Sequence, residues 1–225
     1  MKASSDVTLR CMAVLMVCFA ANGASAQEVY GGVGLFGTQI GYAHALSPSW
    51  TVRGDYMTMG QRSKTTTESD TEYQAHLKMN RKALLADWFP WESSTFRLTG
   101  GATFNQVQFD LTAGGAGTSV DINNKNYPLG ANDALKIQVK MPSTTPYLGL
   151  GWGHKPGRQG WGFHADLGFS VGQFKLTETR TGELREGGAL GVTQAEVDLE
   201  TAEIRKSVAK IKVLPQATLG LSYQF

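Results

Sequence analysis

The chain ends in Leu214-Pro-Gln-Ala-Thr-Leu-Gly-Leu-Ser-Tyr-Gln-Phe225, twelve residues that alternate between two chemical classes. Every second residue counted back from the end is apolar, and the residues between them are polar or small; the apolar set is Phe225, Tyr223, Leu221, Leu219 and Ala217. Successive side chains of a β-strand point to opposite faces, so a period of two indicates a strand. The closing stretch therefore predicts a strand with one apolar face and one polar face.

An apolar strand face that ends in aromatic residues is typical of outer-membrane barrels. In those barrels the outward face touches lipid, aromatic girdles lie at both interfaces and the inward face is polar. Under this interpretation Leu219, Leu221, Tyr223 and Phe225 form the C-terminal signal for insertion. A strand of a soluble sandwich would show the same alternation. The barrel hypothesis therefore also requires an export signal, more alternating strands and a mature chain without cysteine.

The N-terminus predicts a secretory signal peptide. Lys2 and Arg10 supply a positive n-region, and residues 11–21 form an apolar run. That run is too short to cross a bilayer as a helix, and Ala24-Ser-Ala26 has the A-x-A form of a cleavage site. We therefore predict a signal peptide at 1–26, cleaved after Ala26, and a single outer-membrane β-barrel domain at 27–225.

The composition argues against several classes of function. Both cysteines, Cys11 and Cys18, fall within the predicted signal peptide, so the mature chain would hold no disulfide and no thiolate metal site. A formal net charge of +2 gives no indication of nucleic-acid binding. Gly31-Gly-Val-Gly34 lacks the following helix that a dinucleotide site needs. With no motif for a metal or a haem either, we expect no cofactor and no metal.

Strand periodicity continues along the chain and predicts an all-β fold, a closed antiparallel transmembrane β-barrel. The cleanest alternation lies at 161–171, where apolar residues face one way and His164 and Asp166 face the other. Bacterial barrels have even strand numbers, short periplasmic turns and long outer loops. The count reaches about eight strands if residues 28–46 form a hairpin. The expected outer loops are 61–72, 112–133 and 178–207, and the expected periplasmic turns are 47–49, 90–94 and 154–160.

Two segments depart from simple strand periodicity. The alternation that begins at Tyr73 slips near 81–84, and a β-bulge is one cause of such a slip. Near 194–207 we predict a short amphipathic helix, because Thr193-Gln-Ala-Glu196 has the form of a capping box. The residues after it keep the helical spacing of apolar side chains, namely Val197, Ile204, Val208 and Ile211. Both a helix packed on the outer loops and a partner-binding helix fit this pattern.

Several stretches rich in glycine and aromatic residues resemble a known family when taken in order. They are Gly37-Thr-Gln-Ile-Gly-Tyr42, Leu84-Leu-Ala-Asp-Trp-Phe-Pro90, Phe96-Arg-Leu-Thr-Gly-Gly-Ala102, Thr145-Pro-Tyr-Leu-Gly-Leu-Gly-Trp-Gly153, 161–168, Ala202-Glu-Ile-Arg205 and the closing strand. The chain is similar to small Gram-negative outer-membrane proteins of the carbapenem-associated, ornithine-uptake porin type (CarO-like). The likeness covers most of the mature chain. It implies an eight-stranded barrel with a proposed role in basic amino-acid uptake.

The predicted inward faces carry charges that point to the interior of the barrel as the functional region. A barrel of about eight strands has a lumen that its own side chains can fill, so a wide diffusion pore is excluded. Charges in such a lumen must be paired. They either bridge one another to hold the interior together or form a narrow, gated path for a solute. The candidate residues are Arg53, Asp55, Lys78, Asp87, Arg97, His164 and Asp166.

The function predicted from these features is a narrow channel or a binding barrel for small polar solutes in the cell outer membrane, with basic amino acids as the class that the resemblance implies. The expected partners are outer-membrane lipid, lipopolysaccharide, the barrel assembly machinery and a small polar solute. One alternative is a structural or adhesive protein that acts through its outer loops.

A lipid-modifying enzyme is the remaining alternative, with His44, His76, His154 or His164 as its base. No nucleophile elbow accompanies these histidines. His164 and Ser170 share a face, but six residues of strand separate them by about 20 Å. A base and its nucleophile must lie within hydrogen-bond reach. We therefore predict no enzymatic activity and no catalytic residue.

Overall fold

The computed structural model describes residues 26–68, 71–115, 117–123 and 125–225. The predicted signal peptide, including Ala24, lies outside these residues apart from Ala26, the last residue before the predicted cleavage point. Two helices occur in the described residues, and neither is long and apolar enough to span a bilayer.

Eight antiparallel strands form a closed ring, as the sequence predicted. Its strands are β1 (Gln27–Gly34), β2 (Gly37–Ser47), β3 (Trp50–Glu68), β4 (Thr71–Trp88), β5 (Phe96–Gly114), β9 (Thr144–Trp152), β10 (Gly160–Val171) and β12 (Val213–Gln224). The first and last strands close the ring, with Glu28 opposite Gln224 and Gly34 opposite Thr218. The predicted hairpin at 28–46 is confirmed as β1 and β2, and its turn ends at Gly37, whose φ of 101° suits glycine.

Four further strands and two helices lie beyond one end of the ring. The strands are β6 (Ser119–Ile122), β7 (Lys125–Pro128), β8 (Ala134–Lys140) and β11 (Lys175–Thr181); the helices are a 3₁₀ turn at Gly182–Leu184 and α1 at Gln194–Lys210. β8 pairs with the C-terminal half of β5, from Gln108 to Gly114, and β9 pairs with the N-terminal half of β5. We call these four strands and two helices the dome, and their end of the ring the dome end. The opposite end, where Gln27 and Gln224 lie, is the terminal end.

The predicted loop at 61–72 is wrong. β3 continues to Glu68 and β4 begins at Thr71, and the two strands remain paired to their tips. Polar residues such as Gln61 and Thr65 suggested a loop. This part of β3 lies beyond the membrane, however, so neither face of the strand needs apolar residues for contact with lipid. The expected loop at 112–133 likewise contains the hairpin of β6 and β7.

The slip in alternation near 81–84, for which a bulge was one explanation, has a different physical cause in β4. Pairing between β4 and β5 is unbroken from Tyr73 to Trp88, and the bulge lies in β3, between Thr58 and Gly60. What changes along β4 is the surroundings. Within the ring, polar Arg81 and Asp87 face the interior, whereas Tyr73 faces the apolar core of the dome. In this part of β4 the inward face meets the apolar core, and the outward face meets water instead of lipid. The two faces therefore exchange polarity although the register of pairing does not change.

The dome has a small apolar core of its own. Its buried members are Ala113, Val120, Ile122, Leu129, Leu135, Leu184, Val192 and Val197. Helix α1 begins with the predicted capping box, in which Thr193 and Glu196 bond each other's backbone N–H. Its predicted apolar face is only partly used, since Val197 is buried while Ile204 and Ile211 remain 44% and 49% exposed. Polar contacts hold the rest of the helix, with Arg205 Nη2 2.8 Å from Glu178 Oε2.

Large apolar side chains cover the outside of the ring. Phe163 and Trp161 are 79% and 78% exposed. Aromatic residues gather at the terminal end, where Trp50 stacks on Trp88 at 6.4 Å and the ring of Tyr223 lies 5.4 Å from that of Phe225. The predicted insertion residues Leu219, Leu221, Tyr223 and Phe225 all face outward. This is the surface expected of a membrane-spanning barrel.

Removal of Phe225 is expected to lower the amount of folded barrel in the outer membrane. Its backbone N–H bonds the carbonyl of Gln27 at 2.9 Å, so it closes the seam between the last and first strands as well as ending the outward aromatic row. Secretion through the inner membrane should continue unchanged. The heat-modifiable band in outer-membrane fractions measures the effect. Phe225→Tyr, which keeps the ring, should behave like the wild type, and a normal folded band from the truncated chain would contradict the prediction.

Candidate functional site in the barrel interior

Two arginines and two aspartates form a compact charge cluster inside the ring. Arg53 Nε lies 2.6 Å from Asp87 Oδ2, and Arg53 Nη2 lies 2.9 Å from Asp166 Oδ1. Arg97 bridges the same two acids, with Nε 3.2 Å from Asp87 Oδ2 and Nη2 2.5 Å from Asp166 Oδ1. The two Nε contacts are ion pairs rather than directed hydrogen bonds. Each charge therefore has two partners of opposite sign, which is what burial requires.

Local sequence makes room for these long side chains. Arg53, Arg97 and Asp166 lie on three different strands, at positions whose side chains alternate inward. Gly151 lies directly opposite Arg97, and a Cβ at that glycine would come within 3.0 Å of the guanidinium carbon. Arg97 Nη1 donates to the carbonyl of Gly153 at 3.2 Å. Gly151 in the neighbouring strand therefore leaves the space that the Arg97 guanidinium occupies.

Asp55 belongs to a second, neighbouring group. Its Oδ1 pairs with Arg81 Nη2 at 3.1 Å, and its Oδ2 accepts from Gln39 Nε2 at 3.1 Å and from the Tyr30 hydroxyl at 3.4 Å. Arg81 was not among the residues predicted from the sequence, because it lies where the polarity of β4 inverts. Counting odd positions back from Asp87 along the same strand would have placed it on the interior face.

A small cavity lies between the two groups. Its volume is about 10 Å³, room for about one water molecule. It is lined by Gln39, Arg53, Asp55, Arg81, Leu85, Tyr147, Asp166, Gln216 and Thr218. Four of these residues carry a buried polar atom that has no hydrogen-bond partner in the described part of the chain, namely Gln39 Oε1, Arg53 Nη1, Arg81 Nε and Gln216 Oε1. The residues that line this cavity therefore include both donors and acceptors without a hydrogen-bond partner in the described structure.

His164 is fully buried but makes no ion pair with these groups within the described structure. Its ring lies 5.2 Å from that of Tyr30 and 4.7 Å from that of His154, centroid to centroid. Ser170, which the enzyme hypothesis paired with it, instead accepts from Gln216 Nε2 at 2.6 Å and contacts Thr103 Oγ1 at 3.2 Å. The two residues thus belong to different parts of the interior.

Lys78 is not part of the interior cluster, contrary to the sequence prediction. Lys78 lies opposite Gln61 of β3 and Gln108 of β5, in the part of the sheet that extends beyond the ring. Its side chain is on the outer face because the even positions of β4 point outward. There it lines a separate cleft of about 220 Å³ with Arg62, His76 and Asp110. Partial burial alone would raise the pKa of Asp110, but amide hydrogen bonds from Gln138 and Gln108, both 2.6 Å, bring that pKa below its usual value.

Comparison with known proteins identifies the fold. The crystal structure of Acinetobacter baumannii CarO is 23% identical, with a TM-score of 0.52 over 91% of this chain and 98% of that one. The crystal structure of Acinetobacter baumannii CarO2 is 20% identical, with a TM-score of 0.54 over 91% of this chain and all of that one (100%). No protein-family model and no curated protein matches the chain. The two likenesses show that this chain shares the barrel fold of those proteins.

Proposed function

We propose that this protein is an outer-membrane barrel of the Gram-negative envelope that binds small polar solutes in its interior and passes them along a restricted path. The observation that carries the proposal is the cavity between the two charge groups. Arginine and aspartate side chains lie on its wall together, with unpartnered donors and acceptors beside them. Such a wall complements a solute that carries both charges, as an amino acid does.

The two charge groups suggest which part of the interior yields to a solute. Arg53 and Arg97 each contact two aspartates. Arg81, in contrast, has one ion pair among the described residues, with Asp55, and its guanidinium lies over the ring of Tyr147 at 5.9 Å. Arg81 is therefore the more easily displaced guanidinium. A cationic solute can replace it on Asp55 without leaving that carboxylate unpaired. This exchange favours basic amino acids over neutral ones, in line with the class that the family resemblance implies.

Transport through this interior requires side chains to move. A cavity of about 10 Å³ holds no amino acid, so each passage must swing Arg81 aside and open a route beneath the dome. Slow, saturable flux follows from such a mechanism, since every solute waits for the same rearrangement. A wide pore would instead give flux proportional to solute concentration.

Uptake into liposomes tests the proposal. We expect vesicles with the folded protein to take up radiolabelled ornithine or arginine faster than protein-free vesicles, with saturation at high solute concentration. Asp55→Asn removes the charge that the solute would engage and should reduce uptake several-fold. Asp110→Asn is the matched control, because that carboxylate lies on the outer face beyond the ring. Equal uptake with and without the protein would contradict a transport role.

A further inference from the structure

Three ligating side chains that are not adjacent in the chain meet in the interior near the terminal end. One ligand atom from each of His154, His164 and Asp166 lies within 4.8 Å of the other two. All three side chains are buried, at 3%, 1% and 5% exposure. His164 and Asp166 share the inward face of β10, and His154 comes from the connection between β9 and β10. The barrel therefore assembles two imidazoles and a carboxylate out of contact with bulk water.

The imidazole nitrogens in this cluster are largely unsatisfied. His154 Nε2 and both ring nitrogens of His164 have no hydrogen-bond partner among the described residues. Buried polar atoms without partners are uncommon, and each one indicates a bound ion, a water molecule or a functional role. Three such atoms next to a carboxylate make a donor set rather than an isolated packing defect.

Glu28 prepares His154 for coordination. Its Oε1 lies 2.7 Å from His154 Nδ1. A carboxylate at that nitrogen holds the proton on Nδ1 and leaves the lone pair on Nε2, which is how metal-binding histidines are oriented in proteins. The backbone of His154 also lies in the left-handed region, with φ of 58°, which is uncommon for a residue other than glycine.

Buried carboxylates outnumber buried arginines by one among the described residues of the ring. Four buried carboxylates face three buried arginines among the described residues of the ring: Glu28, Asp55, Asp87 and Asp166 against Arg53, Arg81 and Arg97. Glu28 is the carboxylate without an arginine ion pair in this set. Asp166 Oδ1 contacts both of its arginines, whereas Oδ2 has one long contact within the described part of the chain, 3.3 Å from Thr218 Oγ1. Oδ2 is therefore the less occupied of the two carboxylate oxygens.

We propose that His154, His164 and Asp166 form a binding site for a divalent transition metal of the zinc class, with Glu28 as its orienting residue. Three atoms no more than 4.8 Å apart share a point within about 2.8 Å of each (4.8 Å divided by √3). A shift of less than about 1 Å brings each ligand to the 2.0–2.2 Å that zinc adopts with nitrogen and oxygen. Arg53 and Arg97 beside Asp166 weaken the site relative to a closed structural zinc site.

Direct metal binding to the folded barrel tests this site. We expect the detergent-purified protein, stripped with chelator and dialysed against zinc chloride, to retain one equivalent of zinc by elemental analysis. Cobalt chloride, used as a spectroscopic probe, should give visible absorption bands that zinc abolishes. His154→Gln and His164→Asn should each remove the equivalent. Glu28→Gln, which spares all three ligands, should weaken binding by about 10- to 100-fold.

Control variants keep the result interpretable. His76→Gln removes a histidine on the outer face of β4 and should leave the zinc equivalent intact. Heat-modifiability on gels establishes that each variant is folded before its metal content is measured. Less than a tenth of an equivalent in the wild type would overturn the proposal, and so would full retention by folded His154→Gln and His164→Asn. The assay uses no solute, so its outcome is independent of the uptake measurement.

Discussion

Replacing Arg97 with leucine is expected to lower the free energy of unfolding by about 3–5 kcal/mol. Arg97 is fully buried and holds Asp87 and Asp166 together with Arg53. The variant leaves two carboxylates to share one guanidinium, and the low polarity around them makes an unpaired charge costly. Urea unfolding of the barrel in lipid or detergent, followed by tryptophan fluorescence, measures the loss.

Two further variants show whether charge is the cause of that loss. Arg62→Leu removes an exposed arginine from β3 beyond the ring and should change the free energy by less than about 0.5 kcal/mol. Adding Asp87→Asn to Arg97→Leu restores the balance of charge and should recover part of the stability, because residues in one network couple. An unchanged unfolding midpoint for Arg97→Leu would show that Arg97 is not needed to balance the buried acids.

Substituting alanine for Gly220 is expected to prevent the ring from closing in its native register. Gly220 lies on the last strand opposite Gly32 of the first. A Cβ there would lie 2.2 Å from the carbonyl oxygen of Gly31 and 2.7 Å from the Cα of Gly32. Both are backbone atoms of the partner strand, so no rotamer change can relieve the overlap. We expect a cost at or above the upper end of the about 1–3 kcal/mol of ordinary overpacking.

The fraction of heat-modifiable protein after refolding into lipid vesicles measures this effect. Gly100→Ala is the matched control, since it also puts a methyl group on a strand glycine but meets only Leu148 Cδ2 at an ordinary 3.9 Å. It should refold to the wild-type extent. If both variants refold equally well, the first and last strands do not approach as closely at the seam as the structure indicates.

The period of two along the chain, together with the even strand number of bacterial barrels, predicted a closed ring of about eight strands and the side on which most charges lie. In β10, for example, Phe163 and His164 point to opposite faces whatever their neighbours are, because the strand geometry alone decides it. The same rule failed for Lys78 and Arg81. The polarity of the residues on a strand face depends on whether that face contacts lipid, water or the protein interior. The sequence does not indicate where along β4 the surroundings of the outward face change from lipid to water.

The pairing across the interior was decided only by the tertiary structure. Which arginine meets which aspartate depends on the tilt and register of strands far apart in sequence, and these are properties of the closed ring. The same closure brings Glu28 and His154, 126 positions apart in the chain, into contact beside His164 and Asp166. No regular spacing in the sequence links those four residues. A chain without a metal-binding motif can therefore bring potential metal ligands together only through the closure of its strands into a barrel.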